Sequence, residues 1–135
     1  MSKIETIYQG NFITKNVHID SAAELITDAP LDNNGKGDFF SPTDLLAAAV
    51  AACVFTIAGQ AAQTSGFSID GAKAITTKKM TQTAPRRIDE IDIVFDFSMC
   101  KLNEKQQTIV KRIADTCPVA NSLHPDVKKN VTFCF

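Results

Sequence analysis

The feature that most constrains this chain is an alanine-rich, uncharged run from Leu45 to Ala62, interrupted only by Thr56, Gly59 and Gln60. Ser41 can cap a helix, Pro42 suits its first position, and Asp44 completes a Ser-x-x-Asp capping box. Gly66 is a natural stop. The pattern therefore predicts a helix of roughly 24 residues, or about 36 Å. Its surface is apolar nearly all round, so it should be buried nearly all round. A chain of 135 residues can hardly enclose such a helix alone, and a dimer that buries it between two subunits is expected. Alanine adds little transfer energy, so a buried helix of a soluble protein fits better than a membrane span. Met1 to Gly10 lacks the apolar stretch of a signal peptide, and the expected location is cytoplasmic.

Size and charge narrow the remaining choices. The length suits a single domain, 1–135, and 44% hydrophobic residues suffice for a core without metals or disulfides. The net charge of -1 offers no basic field for nucleic acid. His18 and His124 join no metal-binding spacing, and Cys53, Cys100, Cys117 and Cys134 form no CxxC pair. Neither a structural metal nor a disulfide framework is expected.

Ahead of the helix, Ile4–Tyr8, Phe12–Ile19 and Ala22–Thr27 read as short antiparallel strands. Gly10-Asn11 and Asp20-Ser21 are the turns between them. Residues 28–40, rich in Asp, Asn and Gly, form a long surface loop, a kind of segment that often carries function. After the helix, Ser68–Met80 and Ile88–Met99 read as strands joined by a hairpin over Gln82–Arg87. Ile91, Ile93, Phe95 and Phe97 alternate with Asp92 and Asp96, which puts one face in a core. A helix opening at Asn103 and running through Asp115 follows. A short helix, Pro118–Leu123, and a strand, Val127–Phe135, end the chain. This order places it in the α+β class.

The cysteines differ in setting. Cys53 lies mid-helix on a face with Leu46, Val50 and Ile57, where a cysteine commonly serves as a small hydrophobe. Cys117 precedes Pro118, which pushes it out of helical geometry and onto an N-cap. Unpaired N–H groups and the helix dipole there favour a thiolate. Cys100 ends a strand and Cys134 alternates with Val131, Phe133 and Phe135 in another, so both read as structural.

Two stretches resemble the OsmC/Ohr family of osmotically inducible and organic-hydroperoxide-resistance proteins. Ser41-Pro-Thr-Asp-Leu-Leu-Ala-Ala-Ala-Val-Ala-Ala-Cys53 is similar to its helix signature, and Cys117-Pro-Val-Ala-Asn-Ser-Leu123 to its second cysteine motif. The resemblance implies an OsmC-like fold, with antiparallel sheets packed around a long buried central helix in an intertwined homodimer. It also implies a thiol peroxidase with active sites at the subunit interface. Cys53 would attack an organic hydroperoxide and become a sulfenic acid, and Cys117 would resolve it to a disulfide. No bound cofactor is implied; an external dithiol of the dihydrolipoyl type would restore the pair.

In this order of events Cys53 is the reacting thiol, whereas the helix-cap argument makes Cys117 the more acidic one. Cys53 then needs a cationic neighbour supplied by folding or by a second subunit. The family's organic-hydroperoxide branch uses an N-terminal arginine and a glutamate after the helix-start proline. Here no arginine precedes Arg86, and Thr43 follows Pro42. Thr43, Asp44, Arg86 and Arg87 are the candidate supporting residues, with Lys15 and His18 as further sources of charge. The departures leave two alternatives open: a non-catalytic module binding an apolar small molecule, and a thiol redox sensor.

Overall fold

The computed structural model describes all residues 1–135. The chain divides into two compact units, Met1–Leu46 and Ala47–Phe135.

In the first unit, β1 (Ile4–Gly10), β2 (Ile13–His18) and β3 (Glu24–Thr27) form an antiparallel sheet in that order, close to the sequence expectation. Gly10, Asn11 and Phe12 all take positive φ at the first turn. The long loop is folded back on itself. The Asp28 amide donates to Phe40 O at 3.1 Å, and Thr27 and Phe40 form a bridge. Asp28 is buried, and its Oδ2 accepts from the Asp38 amide at 3.3 Å. Gly35 passes so close to the Ala29 carbonyl that a Cβ would lie 1.6 Å from its oxygen. No other residue fits there without moving backbone.

Helix α1 (Pro42–Thr64) begins on the expected capping box. The Ser41 amide donates to Asp44 Oδ2 at 2.9 Å, and the Asp44 amide donates to Ser41 Oγ at 3.1 Å. Gly66, at φ +78°, follows its end. Burial all round is not what this chain alone provides. Ala47, Val50, Ala51, Val54, Ala58 and Ala62 are buried along one stripe, whereas Leu46, Ala52, Thr56 and Gln60 are exposed. One sheet can cover only one side of a helix.

The second unit places Ala47, Val50, Ala51 and Val54 of that stripe in a core with β5. β4 (Lys73–Met80) and β5 (Ile88–Asp96) are antiparallel, closed by the Thr81 amide donating to Arg87 O at 2.9 Å. β4 starts five residues later than the sequence pattern suggests, because Ser68 and Gly71, at φ +84°, turn the chain first. The inner face is the alternation foreseen: Ile91, Ile93, Phe95 and Phe97 are at most 2% exposed. Each contributes about 1.5–3 kcal/mol by burial.

The last strand departs from the antiparallel pairing expected. β6 (Lys128–Cys134) runs parallel to β5, pairing Ile91 with Lys129 and Phe95 with Phe133. The connection between them holds α2 (Glu104–Ala114) and α3 (Pro118–Asn121). A parallel neighbour requires such a crossover. Asn103 caps α2 with a reciprocal bond to Gln106. Phe55, Phe95, Phe97, Phe133 and Phe135 pack ring on ring, with Phe95 and Phe133 stacked at 5.6 Å.

Candidate active site

Cys53 sits mid-way along α1 and is half-buried, packed against the core that contains Cys117. Val50, one turn earlier, is buried. Cys117 arrives from the end of α2, where Thr116 Oγ1 donates to Ile113 O at 2.8 Å and turns the chain. With φ -62° and ψ 115°, Cys117 is extended and caps α3, with Pro118 in the first turn. Its sulfur accepts from the Ala120 amide at 3.4 Å, and its thiol donates to Val50 O at 3.8 Å. The Cys53 thiol lies close enough to hydrogen-bond with it and to perturb its ionisation. The structure thus brings together the two motif cysteines, 64 positions apart in the chain, as free thiols.

The N-cap position of Cys117 agrees with the sequence pattern, but its acidity does not follow. Cys117 is 0% exposed. Burial pushes its thiol up, and the neighbouring Cys53 adds to the rise, while the amides of Ala120 and Val119 pull it down by less. The dipole of a one-turn helix does not outweigh the cost of an anion cut off from water. Cys117 is therefore a thiol held protonated, which removes the conflict between the cap argument and the order of events implied by the family resemblance.

The supporting candidates have other partners. Thr43 Oγ1 meets Ser41 Oγ at 3.2 Å, and Asp44 closes the capping box. Arg87 donates from Nη1 to Ile88 O at 3.0 Å and lies 3.9 Å from Asp126. Arg86 is exposed in the β4–β5 connection. Lys15 pairs with Glu24 at 2.7 Å, and His18 is hydrogen-bonded to Ser2 and Ser21. None of these cations figures among the main influences on Cys117.

Cys100 and Cys134 stand apart from the pair. The Cys100 thiol donates to Asp70 O at 3.7 Å, and burial together with Asp70 and Asp96 pushes it up. Cys134 is exposed opposite Asp96. Sequence reasoning missed three groups at the site: the Val50 carbonyl, the Ala120 amide as the specific cap donor, and Lys129, whose ammonium donates to Ala120 O at 3.2 Å. The cap geometry hinted at the second. Nothing in a residue pattern pairs a strand lysine with a helix carbonyl.

A groove of about 430 Å³ follows the face of α1 beyond Cys53, lined by Ile57, Gln60, Ala61 and Thr64 with Ile113 and Thr116 of the α2 end.

Residues 35–132 match the family model described as OsmC-like protein. Among solved structures, one from Psychrobacter arcticus 273-4, provisionally named for an osmotic-stress-induced and detoxification response, is 44% identical with a TM-score of 0.92. The match covers 98% of this chain and 96% of that one. The organic hydroperoxide resistance protein OsmC of Legionella pneumophila shares 17% identity at a TM-score of 0.77, over 100% and 97% of the two chains. OhrB of Bacillus subtilis, an organic hydroperoxide resistance protein, shares 17% at 0.71, over 98% and 97%. The last two show likeness of fold alone. Among curated proteins no significant match was found. With a family model over most of its length, a relative of 44% identity and the two motif thiols side by side, the chain belongs to the OsmC-like family.

Proposed function

We propose that the protein is a thiol-dependent peroxidase for organic hydroperoxides. The observation that carries this reading is the contact between a half-buried helix thiol, Cys53, and a fully buried partner, Cys117, held protonated. In the first step the Cys53 thiolate attacks the distal oxygen of ROOH. The O–O bond breaks, RO⁻ leaves and takes a proton as ROH, and Cys53 becomes a sulfenic acid. Cys117 then attacks the Cys53 sulfur, its thiol proton leaving with the displaced hydroxide as water, and a disulfide forms. An external dithiol of the dihydrolipoyl class returns both thiols and is itself oxidised to its disulfide.

The half-exposed α1 supports a homodimer, in which a second subunit would cover the open side and supply the cation that Cys53 needs. A reducing cytoplasm suits four free thiols. The test is mass spectrometry with peptide mapping before and after one equivalent of an organic hydroperoxide. The expected product is a Cys53–Cys117 disulfide formed within seconds and reversed by dihydrolipoamide. Unmodified thiols would overturn the reading. The groove beside Ile57 and Ala61 then favours the other one, a module that binds an apolar small molecule, whose mark would be ligand retained by the purified protein.

A further inference from the structure

We infer that Lys129 is a positioning residue for the resolving thiol, acting through Ala120. This rests on the peroxidase reading above. Ala120 is bound at both ends: its N–H donates to the Cys117 sulfur at 3.4 Å, and its carbonyl accepts from the Lys129 ammonium at 3.2 Å. The same carbonyl also accepts from the backbone amides of Leu123, at 3.4 Å, and Ser122.

Helix α3 has four residues, too few to hold itself by its own hydrogen bonds. Its anchors are the contacts of Val119, Ala120 and Leu123 on the core, the Ser122 hydroxyl on Pro118 O at 2.8 Å, and Lys129. A cation at the C-terminal carbonyls also complements the helix dipole. Lys129 itself is well founded. It pairs with Ile91 in the central strand, and the next residue, Asn130, donates to both Glu90 and Asp92. The ammonium therefore ties the one-turn helix that carries Cys117 to β6, which pairs along its length with the central strand β5. Freed from it, α3 would let the Cys117 sulfur drift from Cys53, and the sulfenic acid would wait longer for its partner. The first step, at Cys53, would not change.

The experiment compares the wild type with Lys129→Met, which keeps an apolar stem, and Lys129→Arg, which keeps the charge. Hydroperoxide is supplied as several equivalents of tert-butyl hydroperoxide, since a sulfinic acid consumes two. The ratio of Cys53 sulfinic acid to disulfide is read by mass spectrometry, and sulfenic acid formation is followed in parallel samples by trapping with dimedone. Lys129→Met should form sulfenic acid at the wild-type rate but raise that ratio about threefold to tenfold, the scale of one exposed charge-assisted hydrogen bond. Lys129→Arg should restore it. An unchanged ratio in Lys129→Met overturns the inference.

Diamide gives a second readout that needs no peroxide, since it takes two electrons and two protons from a dithiol and leaves the disulfide. Disulfide closure by diamide should slow by a similar factor in Lys129→Met, and equal or faster closure overturns the inference. Absence of both sulfenic acid and disulfide in the peroxide-treated wild type would overturn the peroxidase reading, and the diamide rates would still decide the role of Lys129.

Discussion

The thiol of Cys117 donates to the carbonyl of Val50, one helical turn before Cys53, at 3.8 Å. The Cys117 sulfur is thus docked on the same helix that carries Cys53, and as a donor it is held in the protonated form. Under the proposed peroxidase function the two thiols have different tasks. Cys53→Ser should abolish peroxide reduction. Cys117→Ser should allow one turnover and then accumulate sulfinic acid at Cys53, seen as an added 32 Da, the mass of two oxygens in the sulfinic step. Multi-turnover reduction by Cys53→Ser would sink the mechanism.

The pH dependence of stability follows from the same burial. The Cys117 pKa is raised above the ordinary thiol value of 9.0, so the folded protein holds this proton more tightly than the unfolded chain does. The resulting stabilisation is whole below about pH 9 and is lost as the pH rises through the folded-state value. The melting temperature of the reduced protein should fall as the pH is raised above 9, and fall less steeply in Cys117→Ala. Cys100, raised by burial and two aspartates, adds to the slope in both proteins. Parallel slopes would show that the buried thiol does not govern the loss.

Asp44 is occupied by its cap, accepting from the Ser41 amide at 2.9 Å. Ser41→Ala should cost about 1 kcal/mol in denaturant unfolding, the usual value of an N-cap. Asp44→Asn keeps an acceptor and should cost less, with peroxide reduction preserved. A loss of activity in Asp44→Asn without a loss of stability would return this carboxylate to the catalytic machinery.

Most elements could be read from local patterns, because those patterns have local causes. The Ser41–Asp44 box, the Ile91–Phe97 alternation and the Asn103 cap each lie within a few residues. The parallel pairing of Ile91 with Lys129 spans 38 positions, and no periodicity in either strand states its direction. The same limit applies at the site. Cys-Pro placed Cys117 on a cap, but its acidity depends on what covers it, and that cover comes from α1 and the core around β5. Burial reversed the sign of the local argument. No cation for Cys53 could be chosen from the sequence either, since Lys15, His18 and Arg87 all look available there and have other partners in the fold.

The remaining cysteines supply the control for the pair. Cys100 donates to Asp70 O, and Asp70 and Asp96 oppose its ionisation, so its thiolate is scarce at neutral pH. Cys134 is open to solvent, but Asp96 is its register partner, and neither residue has a place in the Cys53–Cys117 contact. Cys100→Ser and Cys134→Ser should each retain peroxide turnover within about twofold of wild type, the range of a surface-level change of ~0.5 kcal/mol. Peptide mapping after one equivalent of hydroperoxide should find both thiols alkylatable. If either substitution removes turnover while the Cys53–Cys117 disulfide still forms, the step affected is recycling by the dithiol. If the disulfide itself fails to form, the pair has been misassigned.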